Sequence, residues 1–228
     1  MRRLKFCLRS GRKGGRNRRI SSLFMILMES PTCNIEKFKK DVINHDISID
    51  RLVQKYLIFG TPYIFKDDEE KYYVLKEIVS KSLSVSISCI TVVGSCKLGF
   101  SLKPTKLWEH ISEESDIDIA LINPELFDTF WKEFYEINSK LQSRTEEQDK
   151  NYQSFLNYFF RGWLRIDLFP YEYAKKKTVS ELTRQLFSIY GRKASLGIFR
   201  NEFFFESYHK ENLNKIREIE YSKYFSKG

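Results

Sequence analysis

A chain of 228 residues with 42% hydrophobic and 15% aromatic side chains can bury a substantial core, which excludes an intrinsically disordered protein. Its formal charge is +9, yet residues 1–19 hold nine Lys and Arg and no acid, so the remaining thirty bases equal the thirty acids. That neutral body speaks against a dedicated nucleic-acid polymerase, and no apolar stretch is long enough to cross a membrane as a helix. The basic arm has the composition for salt-sensitive attraction to nucleic acid. A secretory reading of Ile20–Met28 lacks a small-residue cleavage site. The simplest expectation is that residues 1–28 are a basic, disordered tail without a role, or that translation starts at Met25 or Met28. Cys7, Cys33, Cys89 and Cys96 make no disulfide or zinc spacing, and point to a reducing cytoplasm.

Residues 34–58 predict one or two helices burying Ile35, Phe38, Val42, Leu52, Val53, Tyr56 and Leu57. Gly60-Thr-Pro interrupts them. Asp67-Asp-Glu-Glu70 opens the next helix, whose apolar positions are Tyr72, Leu75, Ile78, Val79 and Leu83. Residues 87–93, rich in β-branched side chains, predict a buried strand ending at Gly94-Ser95. A second strand carries Ser115-Asp-Ile-Asp-Ile-Ala-Leu-Ile122. Pro124 then begins a helix with Phe127, Phe130, Trp131, Phe134 and Ile137 on its core stripe. Residues 141–150 read as a loop or a frayed helix end. Tyr152, Phe155, Leu156, Phe159 and Phe160 predict another helix, ended by Gly162. Leu164-Arg-Ile-Asp-Leu-Phe169 predicts a third strand, closed by Pro170, and residues 174–228 read as helical with a break near 191–197.

The chemistry concentrates in three carboxylates. Asp116 and Asp118 are two apart, so on a strand they share a face, opposite Ile117 and Ile119. Asp167 sits in the third apolar run. Carboxylates in apolar strands are costly unless a charge compensates them, and Mg²⁺ does so with hard oxygen ligands shared with phosphates. Gly94 allows backbone to approach a phosphate closely, and Ser95 can cap the turn. His45, His110 and His209 are scattered without ligand or acid–base spacing.

Strand, Gly94-Ser95, the Asp116-x-Asp118 strand and a third strand with Asp167 together resemble the nucleotidyltransferase superfamily typified by DNA polymerase beta. The likeness covers residues 85–170. The run Gly94–Pro104, with Gly60–Phe65 before it, is similar to small prokaryotic nucleotidyltransferase-like proteins. The resemblance implies an α+β fold: a small mixed β-sheet nucleotidyltransferase core, flanking helices and a helical C-terminal region. The expected divisions are residues 29–84 for N-terminal helices, 85–172 for the core and 173–228 for the helical C-terminal part. It implies Gly94, Ser95 and Lys97 as nucleotide-binding residues, and Asp116, Asp118 and Asp167 as both catalytic and metal-binding residues. Mg²⁺ or Mn²⁺ would be the cofactor and a nucleoside triphosphate the substrate, with ATP as the default.

One departure is the long stretch 96–115 between Gly-Ser and Asp-x-Asp, expected as a lengthened loop over the nucleotide. Its Lys97, Lys103 and Lys106 are candidate phosphate contacts, as are Arg192, Lys193 and Arg200 farther on. Arg165 shares the face of Asp167 and has two readings, phosphate contact or local salt bridge. The activity implied is transfer of a nucleoside monophosphate to an acceptor hydroxyl with release of pyrophosphate. The acceptor is open among a small molecule, a protein, an RNA end and a nucleotide. Two rivals stand beside it: a non-catalytic antitoxin or adaptor of the same fold, and an Asp-x-Asp glycosyltransferase. The latter leaves Gly94-Ser95 and Asp167 unexplained.

Overall fold

The computed structural model describes residues 34–140, 145–168 and 174–225. The expectations for residues 1–28, for Cys7 and Cys33, for 141–144 and for Pro170 lie outside these residues. The described residues form one compact unit of mixed α+β structure.

Helix α1 (Ile35–Ile43) starts at Asn34, whose side chain accepts from the Lys37 N–H. Helix α2 (Ile49–Leu52) runs on as a π-helical segment, Val53–Ile58. Asp68 caps α3 (Glu69–Leu83), with Glu69 and Glu70 in its first turn. Strand β1 (Ile90–Val93) is shorter than expected, because residues Ile87–Cys89 form a 3-10 turn. Helix α4 (Gly94–Leu98) follows at once. Strand β2 (Ile117–Ile122) leads to α5 (Pro124–Lys140), whose entry is set by Asn123 accepting from the Leu126 N–H at 2.7 Å. Helix α6 (Glu146–Phe160) has a Thr145–Gln148 capping box. Strand β3 (Trp163–Arg165), α7 (Ala174–Tyr190), β4 (Ala194–Phe199) and α8 (Glu202–Phe225) complete the described chain.

The sheet order is β1-β2-β4-β3, with β2 and β4 parallel and both outer pairs antiparallel. This corrects two expectations. The supposed helical C-terminal region contributes β4, an inner strand, so residues 173–228 are no separate helical part. Asp167 is not on a strand: β3 stops at Arg165 and the chain turns into 3-10 helix at Ile166–Leu168.

Alternation gives the sheet two faces. Ile90, Val92, Ile117, Ile119, Leu121, Leu196 and Ile198 join the main core with Leu75, Val79, Phe127, Phe130, Phe134 and Phe155 from the helices. Thus most of the Phe127 stripe is core, while Trp131 remains 43% exposed. The opposite face carries Asp118, Ala120 and Ile122 on β2 beside Ser195, Gly197 and Phe199 on β4. There Phe205 of α8 closes over Ala120 and Phe199. Gly197 is required because a Cβ would lie 2.2 Å from Trp163 Nε1, whose indole crosses the strand at that point.

The long stretch 96–115 is not simply a loop over a site. Leu98 and Phe100 are buried with Phe38, Val42, Leu52 and Tyr56, and α8 adds Leu213 and Ile216 to the same cluster. Phe100 bridges to His110, and Trp108 donates from Nε1 to Glu220 at 3.0 Å. The stretch therefore ties the N-terminal helices to α8. Helix α8, with 24 residues, is about 36 Å long, enough to serve both this cluster and the sheet.

Candidate active site

Asp118 is the centre of the site. The β1–β2 register sets it opposite Val93, the residue just before Gly94. Gly94 has φ +69°, and a Cβ there would stand 2.5 Å from Asp118 Oδ2. Only a glycine lets the chain turn against the carboxylate in this way. The parallel register with β4 sets Ser195 beside Asp118 on the other flank, and Ser195 Oγ donates to Asp118 Oδ1 at 2.7 Å. Burial, the largest effect, raises the Asp118 pKa; the charge of Asp116 acts with it, while Ser195, Lys103 and Arg165 pull the other way.

Asp116 lies one residue ahead of β2 and is exposed. Its position depends on anchors around it. The Cys96 thiol donates to the Asp116 carbonyl at 3.1 Å, and the Ile117 N–H donates to the Lys193 carbonyl at 2.8 Å. Arg192 Nη1 donates to the carbonyls of Ser112 and Ser115. Arg192 is therefore engaged in holding the approach to β2, and Arg200 is engaged with Asp128 at 3.4 Å.

Asp167 does not gather with the aspartate pair. It is 51% exposed and takes a two-pronged contact from Arg165, with Nε to Oδ1 at 3.2 Å and Nη2 to Oδ2 at 2.5 Å. Arg165 also lies 5.4 Å from the Tyr158 ring centre and 5.5 Å from that of Trp163. Of its two readings, the local salt bridge is the one observed. Among the described residues no three His, Cys, Asp or Glu side chains stand close enough to hold a metal ion together. Comparison with protein-family models, with curated proteins and with solved structures found no match. The site rests on its own geometry.

Lys97 departs furthest from expectation. It is 1% exposed, and its ammonium donates to the carbonyls of Phe59, at 2.8 Å, and of Gly60. It cannot meet a nucleotide from there, because it closes the end of the π-helical segment. Burial pulls its pKa down to about 8, while the two carbonyls hold a proton on Nζ. Lys97→Met should destabilise the fold by about 1–3 kcal/mol, because it strips donors from two carbonyls. A thermal melt at neutral pH equal to wild type would contradict that role. Lys103, exposed, is the lysine of this stretch whose charge reaches Asp118.

Cys96, next to the Gly94 turn, is buried and its thiol is pushed up to about 11, chiefly by burial. It is a core residue. His209 is likewise buried against Phe199 and Phe205, which lowers its pKa to about 4. Ser195 is the residue that the sequence did not reveal. A serine inside the break expected at 191–197 carries no signal until β4 is paired with β2.

Proposed function

We propose that the protein is a metal-dependent nucleotidyltransferase, transferring a nucleoside monophosphate from a triphosphate to an acceptor hydroxyl. The observation that carries the reading is the Gly94 turn pressed against the half-buried carboxylate of Asp118. A carboxylate so placed needs a positive partner, and its neighbour Asp116 is a second hard oxygen donor. Mg²⁺ commonly takes one or two protein carboxylates and completes its shell with phosphate and water. Asp116 and Asp118 therefore fit such an ion without a third protein ligand. Bound there, Mg²⁺ or Mn²⁺ supplies charge neutralisation for the triphosphate and acidity for the attacking hydroxyl.

The protein's own groups do the rest in this reading. Ser195 fixes the orientation of Asp118. The Gly94 N–H and the Ser95 hydroxyl hold phosphate oxygens. The acceptor oxygen bonds to the α-phosphorus, the bond to the pyrophosphate oxygen breaks, and Asp167 accepts the hydroxyl proton. For that role Asp167 must part from Arg165, which holds both of its oxygens, and approach the aspartate pair. The compartment in this reading is a reducing cytoplasm, in keeping with the free thiols of Cys89 and Cys96. No helix among the described residues is long and apolar enough to cross a membrane.

A second reading is favoured by the engagement of Asp167 with Arg165 and of Lys97 with Phe59 and Gly60: a module of this fold that binds nucleotide without turnover. Pyrophosphate release from the four ribonucleoside triphosphates, with Mg²⁺ or Mn²⁺, separates the two. Catalysis predicts release that is lost in the Asp116→Asn/Asp118→Asn double variant, and a fall in turnover larger than the fall in nucleotide affinity for Asp167→Asn. Metal-dependent nucleotide binding without release, across a panel of acceptors, would instead establish the non-catalytic module.

A further inference from the structure

A cleft of about 370 Å³ opens along the outer edge of β1. Of the strand itself it touches Ile90 and Thr91, whose side chains face opposite ways, so it follows the strand edge and not one face. Tyr72 and Lys76 of α3, Glu202, Phe205 and Glu206 of α8, and Ile122 of β2 line it. Its volume is at the small end of the range of small-molecule sites.

Peptide addition to this edge is disfavoured by the backbone. The Ile90 N–H is already donated to the Ile87 carbonyl. What remains open is side-chain chemistry. Lys76 is half-buried and its ammonium lies 5.0 Å from the Tyr72 ring centre. Burial lowers its pKa, and among the described residues its ammonium forms no ion pair with the two carboxylates of the cleft, Glu202 and Glu206. The charges of Lys76 and buried Lys97 act on each other. Across the cleft, Glu206 is held by Lys210 at 3.2 Å. A partly desolvated ammonium that pairs with no carboxylate, in a cleft also lined by apolar Phe205 and Ile122, is an incomplete pair.

We propose that this cleft binds a small molecule with an apolar body and one anionic group, the anion set against Lys76 and the body against Phe205 and Ile122. Thr91 shares the sheet face of Val93 and Asp118 and lies about 7 Å along the strand from Val93. In the nucleotidyltransferase reading this ligand would be the acceptor substrate, brought to Asp118 by movement of Phe205, which closes over Ala120 between the two; that assignment rests on the nucleotidyltransferase reading, whereas the binding does not.

The test uses the full chain and anilinonaphthalene sulfonate, an apolar body with one anion, followed by fluorescence and by equilibrium dialysis. One site per chain is expected, weakened about tenfold or more by Lys76→Met and unchanged by Lys81→Met on the same helix. Displacement by phenyl phosphate but not benzoate would mark a phosphate ligand, and the reverse a carboxylate. Equal affinity in Lys76→Met, with an unchanged thermal melt, would overturn the proposal, as would displacement by neither competitor. A non-hydrolysable ATP analogue with Mg²⁺ should bind alongside the probe. If it displaces the probe, the cleft belongs to the nucleotide and the proposal falls. If the analogue fails to bind while the probe does, the nucleotidyltransferase reading falls and the cleft stands.

Discussion

Asp118→Asn should reduce metal-dependent pyrophosphate release by on the order of 10³-fold while making the metal-free protein no less stable, or more stable, at neutral pH. The two effects have one cause. Burial raises the Asp118 pKa above its usual 3.8, so the folded chain holds this proton more tightly than the unfolded chain does. Stability from this group is therefore greatest below pH 3.8 and declines as the pH rises through the folded-state value. At neutral pH the native state carries a buried charge that asparagine does not. Asparagine retains an oxygen that can accept from Ser195, so the local geometry survives. Thermal melts in a chelating buffer should place the variant at or above wild type at pH 7, with any advantage fading as the solution approaches pH 3.8. Added Mg²⁺ should raise the wild-type midpoint and leave the variant unmoved. Full activity in the variant, or a midpoint far below wild type at pH 7, would remove Asp118 from the centre of the site.

Gly94→Ala is the second large effect. The left-handed backbone at φ +69° costs an alanine about 1–2 kcal/mol. The added methyl group also lands 2.5 Å from Asp118 Oδ2, so the carboxylate must move. Both stability and pyrophosphate release should fall. A double-mutant cycle with Asp118→Ala separates the causes, because removing the carboxylate relieves the contact but not the backbone strain. Chemical denaturation should find Gly94→Ala less costly in the Asp118→Ala background than in wild type. Strict additivity would mean that the glycine is needed for its turn alone.

The helical elements were legible because each has local punctuation. Asp68 begins α3, Pro124 opens α5 and Gly162 follows α6, and these caps act within a few residues of the chain. Strands β3 and β4 were harder to read. In Leu164-Arg-Ile-Asp-Leu, the alternation continues past the point where the backbone leaves the sheet, so Asp167 read as a strand residue. In Ala194–Phe199, Gly197 has no side chain to announce a strand, since its site is filled by Trp163 from a neighbouring strand.

The sequence by itself determined the α+β class, the aspartate-bearing strand and the glycine turn before it, because side-chain period and turn chemistry are local properties. It also concentrated the formal charge in residues 1–19. Tertiary structure decided which polar groups meet. It set Ser195 against Asp118 across a parallel pair, gave Asp167 to Arg165 and turned Lys97 inward to two carbonyls. Those partnerships depend on strand order and on which buried charge finds an acceptor, and neither is written in the spacing along one chain.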